Sequence, residues 1–225
     1  MTSPLAVMTR PRTAGPIQRL WKGLQARLRP PPIATVDSFK TFLEQRAALI
    51  AQKCAIDYCR GKTGAFSHAL FTEEAFTTAL TVCRWETFVA VLGDLLIVAE
   101  GHLRPHATAG QHAQLRDALL ALYAAILESQ PAPEHRSHGW GDVIEDFTAR
   151  LMAACAAGPP HVLVVADHSA RRLFDTLPIH SSMRTLDEEV VFGAVRFRMV
   201  AVNQEMQRRV AAADVAKELL ANTAP

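Results

Sequence analysis

Asp94 places a carboxylate within a stretch of sequence that is otherwise apolar and helical in pattern. The residues three and four positions before and after it are all aliphatic: Ala90, Val91, Ile97 and Val98. A carboxylate on such a helix face is costly to bury unless a cation compensates its charge. We therefore expect Asp94 to pair with a cation from another helix.

Three cations lie between apolar neighbours on the first and last predicted helices: Arg46, Lys53 and Arg198. The sequence predicts that at least one of them pairs with Asp94. Two roles fit such a pair. It is either an ion pair that fixes the register of two helices, or part of a polar binding or catalytic site in the core that also includes Tyr58.

Nine histidines raise the question of a metal site. His102, His106 and His112 are close in sequence, but Pro105 interrupts the group, so the first two need not share a helix face. The sequence contains no His-Glu-x-x-His motif and no pair of Glu-x-x-His motifs of the kind found in di-iron bundles. We therefore predict no metal ion and no cofactor.

Two tripeptides resemble parts of catalytic motifs. Asp167–Ser169 combines the residue types of a hydrolase triad, but neighbours in sequence seldom point at one another, and no Gly-x-Ser-x-Gly motif supplies a nucleophile. Gly61–Thr63 resembles the end of a phosphate-binding loop without its leading glycine. The sequence therefore predicts no catalytic residue.

Helical periodicity covers most of the chain beyond residue 33. Apolar spacing, capping residues and helix-ending glycines and prolines predict six helices. They run from Thr35 to Gly64, Thr72 to Gly101, Thr108 to Glu128, Gly141 to Gly158, Pro160 to Leu177 with or without a break near Asp167, and Thr185 to Leu220. A capping box of Thr185 and Glu188 opens the last, long helix. The predicted fold is an all-α antiparallel helical bundle.

Composition restricts the class of protein. The 225-residue chain is 49% apolar, which is enough for a buried core. The best candidate for a membrane span, Phe88 to Ala99, is too short for a transmembrane helix and contains Asp94. The four cysteines form no Cys-x-x-Cys pair, as is typical of reduced thiols in an intracellular protein. These features predict a cytoplasmic protein without a transmembrane span.

Residues 1–32, here called the arm, contain six Lys and Arg residues and no acid. Apolar residues recur in the arm at helical spacing: Ile17, Leu20, Trp21, Leu24 and Leu28. Cations fill positions between them, including Arg19, Lys22 and Arg27. This pattern predicts a short basic amphipathic helix that binds an anionic membrane surface or a protein partner.

Two other interpretations of the arm stay open, a disordered tail bracketed by prolines and an Arg-rich targeting segment. The remaining residues, 33–225, form the predicted helical body. Of the 24 Lys and Arg residues, 18 lie in this body against all 22 Asp and Glu residues, for a net charge of −4. Nucleic acid is therefore not an expected partner of the body.

The region from Phe39 to Glu100 and the segment Arg196–Arg198 resemble an uncharacterised group of alphaproteobacterial helical proteins. The resemblance rests on loose motifs at Ala51, Gln52, Lys53, Tyr58, Gly64, Phe71, Phe76, Leu92, Asp94 and Leu95. Cys59 and Cys83 depart from the pattern of this group. The resemblance implies a bacterial, all-helical protein and brings no activity with it.

These features favour a non-enzymatic interaction or assembly protein. In this hypothesis the helical body docks on a larger complex, and the arm anchors it at the inner face of a membrane or on a protein. The alternative is a helical bundle that binds a small ligand, or an enzyme, with its site around Asp94. A solvent-connected pocket reaching Asp94 favours the alternative, whereas a dry ion pair beneath an exposed apolar patch favours the interaction protein.

Overall fold

The computed structural model describes residues 31–223, of which 82% are helical. No strand occurs within this range, so the predicted all-α helical bundle is confirmed. The α-helices of the described range are α1 (Val36–Thr63), α2 (Ser67–Leu70), α3 (Glu74–Leu103), α4 (His112–Glu128), α5 (Gly141–Ala157), α6 (Val162–Thr176), α7 (Glu188–Arg209) and α8 (Ala212–Asn222).

Helix α1 begins and ends at residues whose chemistry predicts these boundaries. Thr35 caps its first turn, because its hydroxyl accepts a hydrogen bond of 3.2 Å from the backbone N–H of Ser38. The helix ends at Gly64, whose φ of 53° lies in the left-handed region that favours glycine. Local sequence thus sets the length of α1.

Helix α3 lies at the centre of the fold. Every residue from Glu86 to Glu100 is buried, since α3 packs most extensively against α6 and α1 and also contacts α4 and α5. Two glycines allow close approach to α3. A Cβ atom at Gly93 would lie 3.2 Å from the Phe147 ring of α5, and one at Gly101 would lie 2.9 Å from Pro159 Cβ.

The prediction of one helix from Thr185 to Leu220 is wrong, because the structure divides this segment into α7 and α8. Between the two helices, Ile33 N donates to Arg209 O at 2.8 Å and Ala211 N donates to Ile33 O at 2.9 Å. This parallel bridge between Ile33 and Val210 holds Val210 in an extended conformation, with φ −80° and ψ 121°. A continuous helix through Val210 is incompatible with that geometry.

Two further local predictions need correction. Thr185 does not cap α7, since its hydroxyl donates to Ser182 O at 3.1 Å and Asp187 is the residue that precedes the helix. Helix α6 is continuous through Asp167, so the structure has no break at this position.

The residues predicted to form the basic amphipathic helix of the arm lie outside the described residues. Its membrane-binding or partner-binding role therefore stays a prediction. Within residues 31–223, no helix is both long and apolar enough to cross a membrane.

Candidate functional site

The structure does not assemble the polar site predicted from the sequence. Arg46 pairs with Glu205 at 2.7 Å, and Arg198 pairs with Asp57 at 2.9 Å. The remaining members are also separate from Asp94: the Tyr58 hydroxyl donates to Asp187 Oδ2 at 2.8 Å, and Lys53 is exposed. The predicted pairing of Asp94 with Arg46, Lys53 or Arg198 is therefore wrong.

Asp94 instead faces α5 and α6. Its side chain is fully buried, its Oδ1 accepts a hydrogen bond from Arg150 of α5, and its Oδ2 accepts one of 3.1 Å from the backbone N–H of Ser169. His168, the residue before Ser169, brings its Nδ1 to 3.5 Å from Asp94 Oδ1. The sequence pattern identified the buried face of α3 correctly, but the helices that cover this face are α5 and α6.

A second buried carboxylate, Glu86, lies eight residues before Asp94 on α3, about 12 Å along the helix axis. Arg136 binds it with two hydrogen bonds, Nε to Oε1 at 2.6 Å and Nη2 to Oε2 at 2.8 Å. His135 Nε2 lies 2.9 Å from Oε1. Arg172 of α6 directs both Nε and Nη2 at Oε2. Glu86 therefore holds two guanidinium groups in fixed positions.

The environment of Glu86 keeps this carboxylate ionised. Burial alone raises the pKa of Glu86, because a charge in a dry interior is poorly solvated. The hydrogen bonds from Arg136, His135 and Arg172 outweigh burial and lower the pKa to about 2. Glu86 is thus a stable counterion for the arginines around it.

A cavity of about 220 Å³ lies where α3, α4, α5 and α6 meet. Its walls are formed by Val89, Ala90, Tyr123, Asp142, Val143, Asp146, Phe147, Arg150, His168 and Arg172. The Tyr123 and Phe147 rings, whose centroids are 4.3 Å apart, supply an aromatic wall. Arg150 and His168 connect the cavity to Asp94, which is buried beneath them.

Spacing on α5 explains how three charged side chains reach this cavity together. Asp142, Asp146 and Arg150 follow one another at intervals of four residues, so they share one helix face. The Asp142 carboxylate accepts a hydrogen bond of 2.7 Å from Arg136 Nη1. Asp142 and Arg172 also line an adjoining hollow of about 470 Å³ that includes Glu86 and Arg136.

Two nitrogen atoms at the cavity have hydrogen-bonding capacity that the described residues do not use. The hydrogen bonds of Arg172 within residues 31–223 involve Nε and Nη2, which leaves the two hydrogens of Nη1. His168 Nδ1 is buried and makes no hydrogen bond within the same part of the chain. Both residues line the cavity, so a ligand there can meet unused donors or acceptors.

A metal site in the described part of the chain would need several side chains that could bind a metal ion together. Within residues 31–223, no group of three His, Cys, Asp or Glu residues is arranged to hold a metal ion. Two histidines of the sequence clusters contact other polar side chains, His102 with Asn203 at 2.7 Å and His135 with Glu86.

No protein-family model matches this chain, and no curated protein or solved structure is significantly similar to it. The resemblance to alphaproteobacterial helical proteins therefore stays a prediction.

Sequence reasoning missed most of the residues that line the cavity, above all Arg150, Arg172 and Asp146. The four-residue spacing of charges on α5 was the signal that could have indicated a polar face there. Two residues of the triad-like tripeptide Asp167–Ser169 do contact Asp94. They do so as structural partners from α6, since Ser169 contributes its backbone N–H and its hydroxyl donates to Ala166 O.

Proposed function

We propose that this protein binds a small organic anion, a carboxylate or a phosphate ester, in the cavity between α3, α5 and α6. One observation carries the proposal: buried Glu86 holds Arg172 at the wall of the cavity while leaving Nη1 of its guanidinium unused within residues 31–223. Arginine binds carboxylates and phosphates strongly when its planar group is fixed in advance.

The exposure of each partner distinguishes this arrangement from an ordinary core ion pair. Only 6% of the Glu86 side chain is exposed, against 43% for Arg172. A pair that only fixes helix register needs no cavity beside it, whereas a preorganised binding residue needs an anchor behind it and space in front of it. Glu86 is the anchor, and the cavity is the space.

The size and walls of the cavity restrict the ligand. Sites for drug-sized molecules occupy about 300–1,000 Å³, so a cavity of about 220 Å³ fits a smaller metabolite. Phe147, Tyr123 and Val143 offer an apolar surface for its carbon skeleton. The wall residues include no Ser, Thr or Cys, and the Tyr123 hydroxyl donates to Val89 O at 3.1 Å. These features support binding more than covalent catalysis.

Calorimetry with matched compounds tests this proposal. The probes are 3-phenylpropionate, 3-phenylpropyl phosphate and the uncharged 3-phenylpropan-1-ol, which share a phenylalkyl body and differ in the head group. We expect at least one anion to bind at least tenfold more tightly than the alcohol, since a charge-assisted hydrogen bond contributes about 1.5–3 kcal/mol. The two anions together distinguish a carboxylate site from a phosphate site.

Two arginine variants test whether the anion binds at Arg172. Arg172→Gln should weaken anion binding at least tenfold, while the fold persists because Arg136 still compensates Glu86. Arg171→Gln is the matched control, because Arg171 is the neighbouring residue on α6 and pairs with Glu188 away from the cavity. Equal binding of the alcohol and both anions, or equal losses in the two variants, would contradict the proposal.

A second proposed function is the protein–protein interaction predicted from the sequence, and an exposed apolar stripe favours it. The stripe consists of Leu186, Val190 and Phe197, whose exposed fractions are 94%, 63% and 74%. Val190 and Phe197 are seven residues apart on α7 and therefore share one side of that helix, and Leu186 lies in the turn before it. Contiguous exposed apolar surface is typical of sites that bind protein partners.

Co-purification tests this second function. The full chain, tagged and isolated from its own membranes, should retain its partner, and Phe197→Ser should release that partner. Phe66→Ser is the control, because Phe66 is 79% exposed but lies in the turn after α1. Equal recovery from both variants would exclude the stripe as the contact surface.

A further inference from the structure

An unused acceptor faces the same cavity as the unused donor of Arg172. Asp146 lines the cavity from α5 and accepts no hydrogen bond within residues 31–223. Its Oδ2 lies 3.4 Å from His168 Nε2 and 3.9 Å from Arg150 Nη1, and both distances exceed the 2.7–3.2 Å of an ordinary N–H···O bond. The reason is that Arg150 is drawn to the buried Asp94.

The Asp146 side chain is 56% exposed and lies four residues before Arg150, a spacing that suits an ion pair on a helix, but the guanidinium group of Arg150 is turned to Asp94. Asp146 is the sixth residue of α5, beyond the first turn in which the helix dipole favours a negative charge. Asp142, four residues earlier on the same face, repels it. Asp142 differs from Asp146 because Arg136 compensates its carboxylate. Asp146 is therefore the acid at the cavity whose charge is least compensated by hydrogen bonds.

The charges around the cavity also restrict the charge of a ligand that binds there. Asp142, Asp146 and the two buried carboxylates Glu86 and Asp94 provide four negative charges. The guanidinium groups that contact them belong to Arg136, Arg150 and Arg172. A purely anionic ligand bound at Arg172 adds negative charge close to Asp146. A ligand that also carries an ammonium group compensates Asp146 instead.

We propose that the ligand is a zwitterion of amino-acid size, with its carboxylate at Arg172, its ammonium group at Asp146 and an apolar side chain against Phe147. This inference rests on the proposed function, because it requires that the cavity binds an organic anion at Arg172. It adds the second charged group and the residue that recognises it. Among small metabolites, the class that combines these three features is the α-amino acids with an apolar side chain.

Pairs of compounds that differ only in the amino group test the inference. The probes are phenylalanine with 3-phenylpropionate, and leucine with 4-methylpentanoate, each titrated into the full-length protein by calorimetry. We expect the amino acid of at least one pair to bind at least tenfold more tightly than its deaminated partner. 2-Phenylethylamine, which lacks the carboxylate, should bind more weakly than phenylalanine.

Charge-neutral variants test whether Asp146 recognises the ammonium group of the ligand. Asp146→Asn should remove the advantage of the amino acid, while the affinity for its deaminated partner should stay the same or rise, because the repulsion between the two carboxylates is lost. Glu145→Gln, which removes the same charge at the neighbouring exposed position of α5 but outside the cavity wall, should behave like the parent protein. Circular dichroism melting of each variant checks that the fold is retained.

The outcomes separate the two proposals. If 3-phenylpropionate binds through Arg172 and neither amino acid binds more tightly than its partner, the zwitterion inference is wrong and the anion site stands. Equal losses for both members of a pair in Asp146→Asn also contradict the inference. If none of these compounds binds, the zwitterion inference is wrong, and if the phosphate probe of the first experiment also fails to bind, the anion site is wrong as well.

Discussion

The backbone N–H of Ser169 donates a hydrogen bond of 3.1 Å to Asp94 Oδ2, although the two residues are 75 positions apart in sequence. The other carboxylate oxygen accepts a hydrogen bond from Arg150. One buried carboxylate thereby joins α3, α5 and α6 at the base of the cavity. The same group shapes the cavity and stabilises the fold.

Removal of the Asp94 carboxylate should destabilise the protein. Asp94→Ala leaves the Ser169 N–H and the Arg150 guanidinium without their acceptor, so we expect the free energy of unfolding to fall by about 3 kcal/mol. Urea unfolding followed by circular dichroism measures the change. Asp175→Ala, at an exposed position of α6, is the control and should stay within about 0.5 kcal/mol of the parent. Similar stabilities of the two variants would show that Asp94 is dispensable.

The lowered pKa of Glu86 predicts that the protein loses stability in acid. Its pKa is lowered from 4.5 to about 2 in the folded protein, so its contribution is fully present above pH 4.5 and is lost as the pH falls toward 2. A shift of this size corresponds to about 3 kcal/mol. Between pH 7 and pH 2, the parent should therefore lose about 3 kcal/mol more unfolding free energy than Glu86→Gln.

Urea titrations at several pH values test the role of Glu86, with Glu145→Gln as the control for an exposed carboxylate. Glu145→Gln should follow the pH dependence of the parent protein. If Glu86→Gln follows it as well, the ion cluster around Glu86 does not contribute to the acid sensitivity.

A proline at position 211 distinguishes the divided C-terminal helices from one continuous helix. Val210 is extended and Ala211 has φ −77°, so both positions accept the geometry of Ala211→Pro. The substitution removes the hydrogen bond from Ala211 N to Ile33 O, which should cost about 1 kcal/mol. Ala201→Pro, in the middle of α7, should cost about 3 kcal/mol or more. Comparable losses in denaturant unfolding would indicate that the helix continues through residue 211.

The predicted role of the arm is tested by deletion. Without residues 1–32 the body should melt like the parent protein but should no longer float with phosphatidylglycerol-containing vesicles. High salt should also release the full chain, because each Lys or Arg near an anionic surface contributes about 1 kcal/mol that salt screens. Trp21→Ala should weaken attachment more than Arg19→Gln. Equal flotation of the full and shortened chains, at low and high salt, would contradict membrane binding by the arm.

The limits of α1 and the burial of Asp94 could be predicted because both depend on local sequence. Thr35 and Gly64 set the ends of α1 through their own chemistry, and aliphatic neighbours at helical spacing indicate the buried face of α3. Periodicity identifies which face of a helix is buried. It carries no information about which other helix covers that face.

The break before α8 and the partners of Asp94 depend on contacts between distant parts of the chain. Ile33 forms the backbone bridge that interrupts the predicted last helix at Val210, and no pattern near Val210 signals it. Arg150 and Arg172 look like ordinary surface residues of amphipathic helices in the sequence. Their role appears when α5 and α6 pack beside Glu86 and Asp94.

Heteronuclear NMR of the full-length protein, titrated separately with 3-phenylpropionate and 3-phenylpropyl phosphate, tests the existence of the ligand site most directly. With at least one of the two anions we expect saturable shift changes concentrated at Tyr123, Phe147, His168 and Arg172, and their loss in Arg172→Gln but not in Arg171→Gln. Shift changes confined to the apolar stripe of Leu186, Val190 and Phe197, or the absence of saturable changes at the cavity with both anions, would contradict the anion site.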